Sequence, residues 1–178
     1  MKITFQKLSL PKTGALVLGV MSGCKLLPLG VEVDAAVDGL LTQAMKDARF
    51  DGDDHQTLNV ATPRGAVLLY GLGDGESIDE LWAEKAGGSI FAALAKTGAS
   101  KINVIFEPHA SAEEGVALRA AHMAFAAQLR AYRFDKYKTQ LKNDDLPSLQ
   151  QIVLLVDKTA AARRAFASLE AVAEGVCL

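Results

Sequence analysis

Two uninterrupted apolar runs, Ala15 to Val20 and Ile152 to Val156, constrain what this chain can fold into more than any other feature. A strand that is apolar at every position has both faces covered, as in the parallel sheets of α/β proteins. Helical patterns lie between the later strands, and strands joined through helices are parallel with right-handed crossovers. We therefore expect a three-layer mixed α/β sandwich, although the same periodicity is compatible with other doubly wound arrangements.

Four further segments have strand character. Ile3 to Leu8 and Ile102 to Phe106 are predicted as single strands. Gln56 to Ala61 and Ala66 to Tyr70 are separated by Thr62-Pro63-Arg64-Gly65, a turn short enough to join them into a hairpin. The hairpin predicts an antiparallel pair beside the parallel core.

Four segments repeat apolar residues at the three- and four-residue spacing of an amphipathic helix. The first runs from Glu32 to Arg49 and the second from Ser77 to about Thr97. The third follows Ser111, and the fourth continues from Ala162. Capping boxes that begin at Ser77 and Ser111 mark the starts of the middle two helices. The predicted order is β, β, α, β, β, α, β, α, β, α.

The second predicted helix contains Gly87-Gly88 at its centre. Each glycine in a helix interior costs on the order of 1 kcal/mol relative to Ala, which favours a packing role in which another backbone lies close to the pair. The apolar residues expected to face the core from this helix are Ile78, Leu81, Trp82, Ala86, Ile90 and Leu94.

Composition limits the class of protein. The 178 residues are 50% apolar and 22% charged, as in an ordinary globular domain, and contain no 18-residue uncharged apolar run. We expect one domain without a membrane span. The start of the chain lacks the features of an export signal, and Cys24 and Cys177 form no CxxC pair, so a cytoplasmic location is expected. A net charge of -2 gives no broad attraction for nucleic acid.

Gly71-Leu72-Gly73-Asp74-Gly75-Glu76 lies where a phosphate-binding loop would connect a strand to a helix. Glu76 stands where a dinucleotide-binding loop needs its last glycine, and two acids would repel a pyrophosphate. A plain strand-to-helix turn is therefore favoured.

Acidic residues and histidines provide no convincing site. The cluster from Asp51 to Asp54 lacks the glycine and glutamate positions of an EF-hand, which favours a solvated loop. His55, His109 and His122 are too scattered for a zinc pair, and His122 is expected to be a hydrogen-bonded structural residue. We assign no catalytic or metal-binding residue.

A basic and aromatic segment from Arg130 to Lys142 is the only anion-binding surface that the sequence suggests. Five basic residues against one acid, Asp135, give a local charge of +4, and three aromatic rings lie among them. Two interpretations are open: a DNA contact, or a docking surface against a neighbouring domain or subunit, which we favour. The residues concerned are Arg130, Tyr132, Arg133, Phe134, Lys136, Tyr137, Lys138 and Lys142.

YRFDKYKT, from Tyr132 to Thr139, resembles a segment in the amino-terminal domain of the leucyl aminopeptidases. Weaker similarities at Gly71-Leu72-Gly73, Lys85 to Gly88 and Ala173 to Val176 extend the resemblance over nearly the whole chain, and Cys177 departs from the asparagine that is frequent there. The resemblance implies a macro-domain-like fold and a single amino-terminal domain over residues 1–178. It also implies that residues 160–178 begin a helix leading into a catalytic domain.

In that family the carboxy-terminal domain binds two divalent ions, zinc or manganese, which activate water for attack on the peptide carbonyl. None of those ligand motifs occurs here, so the resemblance implies a non-catalytic domain without a cofactor of its own. Its implied partners are its own catalytic domain and, in the whole enzyme, a homo-hexamer. The alternatives are a DNA-binding module and a free-standing macro-like domain for ADP-ribose or another nucleotide, although the Asn-Ala-Ala-Asn segment of such binders is missing.

Overall fold

A computed structural model of the chain describes residues 1–76, 78–108, 115–132 and 148–176. The strands in these parts are β1 (Lys2–Gln6), β2 (Ala15–Met21), β3 (Lys25–Leu26), β4 (Thr57–Thr62), β5 (Gly65–Gly71), β6 (Lys101–Ile105) and β7 (Gln151–Leu155). The helices are α1 (Pro28–Ala35), α2 (Leu40–Asp47), α3 (Glu80–Leu94), α4 (Val116–Ala131) and α5 (Thr159–Val176).

The strands form one mixed sheet in the order β1-β7-β6-β2-β5-β4, with the short β3 paired to β2. The first five strands in this order are mutually parallel, while β4 and β5 form the predicted antiparallel hairpin. In the register, Ile152 of β7 lies between Ile3 of β1 and Ile102 of β6. The parallel core and its antiparallel hairpin are therefore confirmed.

Helices cover both faces of the sheet. On one face α3, α4 and α5 bury a core that includes Trp82, Ile90 and Phe166. On the other face α1 and α2 enclose a second core around Leu41 and Met45. The two cores confirm the three-layer mixed α/β sandwich and explain why β2 and β7 are apolar along nearly their whole length.

The prediction of a single helix from Glu32 to Arg49 is wrong, because the chain forms two shorter helices there. The backbone turns at Asp38 and Gly39, which have φ values of 55° and 77°. The Asp34 carboxylate then accepts hydrogen bonds from the amides of Leu41 and Thr42 at 2.8 and 3.2 Å, which caps the start of α2. Since α1 and α2 lie on the same face of the sheet, the apolar spacing continues across the break and conceals it.

The start of α3 also differs from the prediction. Its cap is Asp79, whose carboxylate accepts from the Trp82 amide at 2.7 Å, so the helix begins at Glu80. The expected cap Ser77 lies outside the described residues, as does the second predicted capping box, 111–114. Helix α4 is first described from its N-cap, Gly115.

The two central glycines of α3 have different surroundings. A Cβ placed on Gly87 would lie 2.1 Å from the Met123 carbonyl oxygen, whereas one on Gly88 would have no neighbour within 4 Å. Gly87 therefore lets the backbones of α3 and α4 approach closely, as expected for the pair. The packing prediction is confirmed at Gly87 and wrong at Gly88.

None of the helices in the described part of the chain combines the length and the apolar character needed to span a bilayer.

Candidate functional site

Strands β2, β5 and β6 end together and leave a small cavity at their carboxyl edge, where open α/β sheets place their ligands. Its volume is about 30 Å³, room for a water molecule or a very small group and far too little for a nucleotide. Leu72 narrows the cavity because its side chain lies directly over Gly19, where an added Cβ would meet Leu72 Cδ1 at 2.7 Å. Other lining residues include Val17, Tyr70, Trp82, Val104 and Glu107.

Tyr70 and Trp82, which line the cavity, form a cluster of rings with His55. The His55 ring stacks on Trp82 with ring centroids 5.2 Å apart, and Tyr70 meets Trp82 edge-on at 5.8 Å. His55 Nδ1 and the Tyr70 hydroxyl lie 2.5 Å apart, while Trp82 Nε1 donates to Asp54 Oδ1. Burial raises the pKa of Tyr70, so this hydroxyl stays protonated. These contacts give His55 a structural role that its position in the sequence did not reveal.

The acidic side chains of the loop from Asp51 to Asp54 are exposed, but hydrogen bonds to its backbone hold the loop in place. The Gln56 side-chain oxygen accepts from the amides of Asp51, Gly52 and Asp53 at 3.1 to 3.3 Å. Among the described residues, no group of three His, Cys, Asp or Glu side chains is arranged to hold a metal ion. The geometry of this loop thus offers no ligand set for a divalent cation.

The glycine-rich segment after β5 forms the predicted strand-to-helix turn. Leu72 N donates to Val20 O at 2.8 Å, and Gly73 N donates to Gly52 O at 3.0 Å. The Glu76 amide donates to Asp74 Oδ1 at 2.9 Å. Because these amides already have partners within the protein, they cannot form a phosphate cradle without breaking those bonds.

Glu107 is a buried acid that the sequence reasoning did not single out. It lies just after β6, beyond Phe106, and is only 8% exposed. Its Oε1 accepts from the Leu29 amide at 3.0 Å, at the start of α1. Burial raises the pKa of Glu107, and the negative charges of Glu32 and Asp157 raise it further, against the hydrogen bond from Leu29. Its position at the end of a buried strand, beside the sheet's carboxyl edge, is the signal that could have identified it.

His122, the other histidine in the described part of the chain, takes part in a hydrogen bond between two helices. His122 Nδ1 on α4 lies 2.7 Å from Glu84 Oε1 on α3, which confirms the expected hydrogen-bonded structural role. His109 lies outside the described residues.

The basic and aromatic segment is described only at Arg130 and Tyr132, which are exposed at the end of α4. The other residues of that prediction lie outside the described part of the chain: Arg133, Phe134, Lys136, Tyr137, Lys138 and Lys142.

Two large apolar side chains are exposed at the starts of neighbouring helices. Leu81 on α3 is 58% exposed, so its predicted place in the core is wrong, and Leu118 on α4 is 40% exposed. The pairs Glu84–His122 and Gly87–Met123 show that α3 and α4 run side by side in parallel, which brings the two leucines to matching positions. We call Leu81 and Leu118 the leucine pair.

This fold and its cavity define a three-layer α/β domain without an assembled catalytic centre in the described residues. Residues 17–141 match the sequence model of the cytosol aminopeptidase family, N-terminal domain. The chain therefore belongs to that family and corresponds to its N-terminal domain.

A relative agrees with this assignment, and two solved structures share the fold. The chain is 33% identical over 184 residues to a probable cytosol aminopeptidase of Sinorhizobium fredii, covering 99% of this chain and 36% of that protein. A mutant of tomato leucine aminopeptidase superposes with a TM-score of 0.83 and 23% identity, over 100% of this chain and 37% of its own. The bottromycin maturation enzyme BotP in complex with Mn gives a TM-score of 0.65 and 21% identity, over 93% and 30%. The chain thus spans about a third of the length of the relatives it matches.

Proposed function

We propose that this chain is the non-catalytic N-terminal domain of a metal-dependent leucyl aminopeptidase that releases N-terminal amino acids from peptides in the cytoplasm. The observation that supports this most directly is the match to the N-terminal domain of the cytosol aminopeptidase family over residues 17–141. Relatives named as cytosol aminopeptidases are nearly three times as long as the chain, which leaves room in them for a separate catalytic domain.

The two metal ions belong, on this proposal, to the catalytic domain. They would be zinc or manganese, and they would activate a water molecule for attack on the peptide carbonyl. A BotP structure with bound Mn supports a metal in a protein of related fold. The described residues of this chain do not fit such a centre, because the acids of the Asp51 to Asp54 loop do not converge on one point.

The domain would act through contacts with its own catalytic domain and within a homo-hexamer. Helix α5, with residues 160–178, would connect the two domains, and the chain over 1–178 would form one folding unit. We propose that the leucine pair docks on the catalytic domain, since both side chains are large, apolar and exposed at the starts of neighbouring helices. The DNA contact and the nucleotide-binding alternative stay predictions from sequence, and the cavity at the carboxyl edge of the sheet is too small to hold a nucleotide.

Hydrogen exchange on this chain and on the complete product of its gene tests the docking. The first four amides of a helix have no partner within the helix and exchange quickly unless another surface covers them. We expect the starts of α3 and α4 to exchange more slowly in the complete protein. The start of α1 is the matched control, because Val31 is 54% exposed on the opposite face of the sheet. Equal exchange at the leucine pair in both proteins would exclude this docking surface.

A further inference from the structure

A second and larger pocket lies at the amino edge of the sheet, opposite the edge that holds the cavity beside Trp82. Its volume is about 490 Å³, within the range of pockets that hold small molecules. The loop that precedes β2, the turn of the β4–β5 hairpin and the end of α1 enclose it. Leu16 and Val67 are neighbours in the register of β2 and β5, and both line the pocket.

The charged side chains at this pocket are positive. Lys12 and Arg64 line it from two different loops, both are exposed, and none of the described lining residues is Asp or Glu. Lys101 contributes a third positive charge nearby, since a Cβ on the lining residue Gly14 would lie 3.4 Å from Lys101 Cγ. In the described part of the chain none of these three cations forms a salt bridge. The pocket therefore favours a ligand with a negative charge.

Aliphatic side chains form much of the remaining wall of the pocket. Leu16, Val33 and Val67 line it from the sheet and from α1, and Leu10, which also lines it, is 38% exposed. Covering an exposed leucine with an apolar group is favourable. None of the lining residues that the structure describes is Phe, Tyr, Trp or His, so a nucleotide base would find no ring to stack on. The apolar part of a ligand here is therefore an aliphatic chain.

We propose that this pocket, at the beginnings of β2 and β5, binds a small aliphatic anion, either a carboxylate or a phosphate monoester. Lys12 and Arg64 hold the head group, since a lysine ammonium and an arginine fork both donate to carboxylate and phosphate oxygens. The aliphatic chain covers Leu10, Leu16 and Val67. Helices α3 and α4 begin after the carboxyl ends of β5 and β6, so the leucine pair lies at the opposite edge of the sheet. The site is therefore separate from that docking surface.

A heteronuclear NMR titration of this chain tests the site through the chemical shifts of its amides. We expect sodium hexanoate or hexyl phosphate to shift the amides of Gly14, Gly65 and Val67 in a saturable way at millimolar concentrations. The tighter of the two ligands identifies the head group. Sodium acetate has the charge without the chain, hexanol has the chain without the charge, and hexylammonium chloride has the opposite charge. None of these three controls should saturate at the same concentrations and ionic strength.

Two matched substitutions test the role of the cations. Arg64→Gln should raise the Kd about threefold, as expected for the loss of an exposed ion pair. Lys85→Gln removes an exposed cation from α3, on the other face of the sheet, and should leave the Kd unchanged. Equal effects of the two substitutions, saturation by hexanol or acetate, or no saturable shift at these amides would each overturn the proposal. The comparison of ligands on the wild-type chain decides the question even if a variant does not fold.

Discussion

The buried carboxylate of Glu107 stabilises the start of one helix, although burying its negative charge costs free energy. Its Oε1 accepts from the Leu29 amide, which supplies a cap for α1 that no local side chain provides. The negative charge also lies at the positive end of the α1 dipole. Burial nevertheless raises its pKa, so the charged form is less favoured in the folded protein than in water.

This shift makes a prediction about stability and pH. Because the pKa of Glu107 in the folded protein is raised above its ordinary value of 4.5, the folded state holds a proton that the unfolded state releases. The contribution of Glu107 to the free energy of unfolding should therefore fall as pH rises from 4.5 through the folded pKa. The variant Glu107→Gln lacks this pH dependence. The free energy of unfolding of the variant minus that of the wild type should therefore increase with pH. Urea unfolding from pH 4 to pH 8 measures it, and a difference that shrinks with pH would contradict the assignment.

Helix α3 illustrates which parts of an element can be read from its sequence. The spacing of its apolar residues predicted a helix, and the Gly87-Gly88 pair predicted a close backbone contact. Neither pattern could show that only Gly87 meets α4, since that depends on the angle at which the helices cross. Leu81 was assigned to the core because it fits the apolar spacing, and its exposure depends on which neighbours cover the start of the helix.

The two glycines provide a matched pair of substitutions in one helix. Gly87→Ala should destabilise the protein by about 3 kcal/mol, because the new Cβ would overlap the Met123 carbonyl and force α3 and α4 apart. Gly88→Ala should stabilise it by about 0.5 to 1 kcal/mol, because Ala is the better helix former and the added methyl group meets nothing. Urea unfolding of the two variants measures both changes. Equal effects would show that α4 does not lie against Gly87.

For the whole molecule, the sequence was enough to predict the class of fold. It was not enough to predict the order of the strands in the sheet. Apolar runs joined through helices predicted a parallel core, and the Pro-Gly turn predicted the hairpin. The pairing of the first strand, β1, with the last, β7, depends on contacts between distant segments that no local pattern records. Neither the burial of Glu107 beside the cavity nor the stacking of His55 on Trp82 was predicted, because only the fold brings these residues together at the carboxyl edge of the sheet.

Hydrolysis of leucine p-nitroanilide, with Mn²⁺ or Zn²⁺ added, compares this chain most directly with the complete product of its gene. We expect the complete protein to hydrolyse the substrate in a metal-dependent manner that a chelator abolishes. This chain alone should show no activity above background, since its described residues assemble no metal ligand set. Metal-dependent hydrolysis by this chain, or a complete protein without aminopeptidase activity, would contradict its role as the non-catalytic domain of a leucyl aminopeptidase.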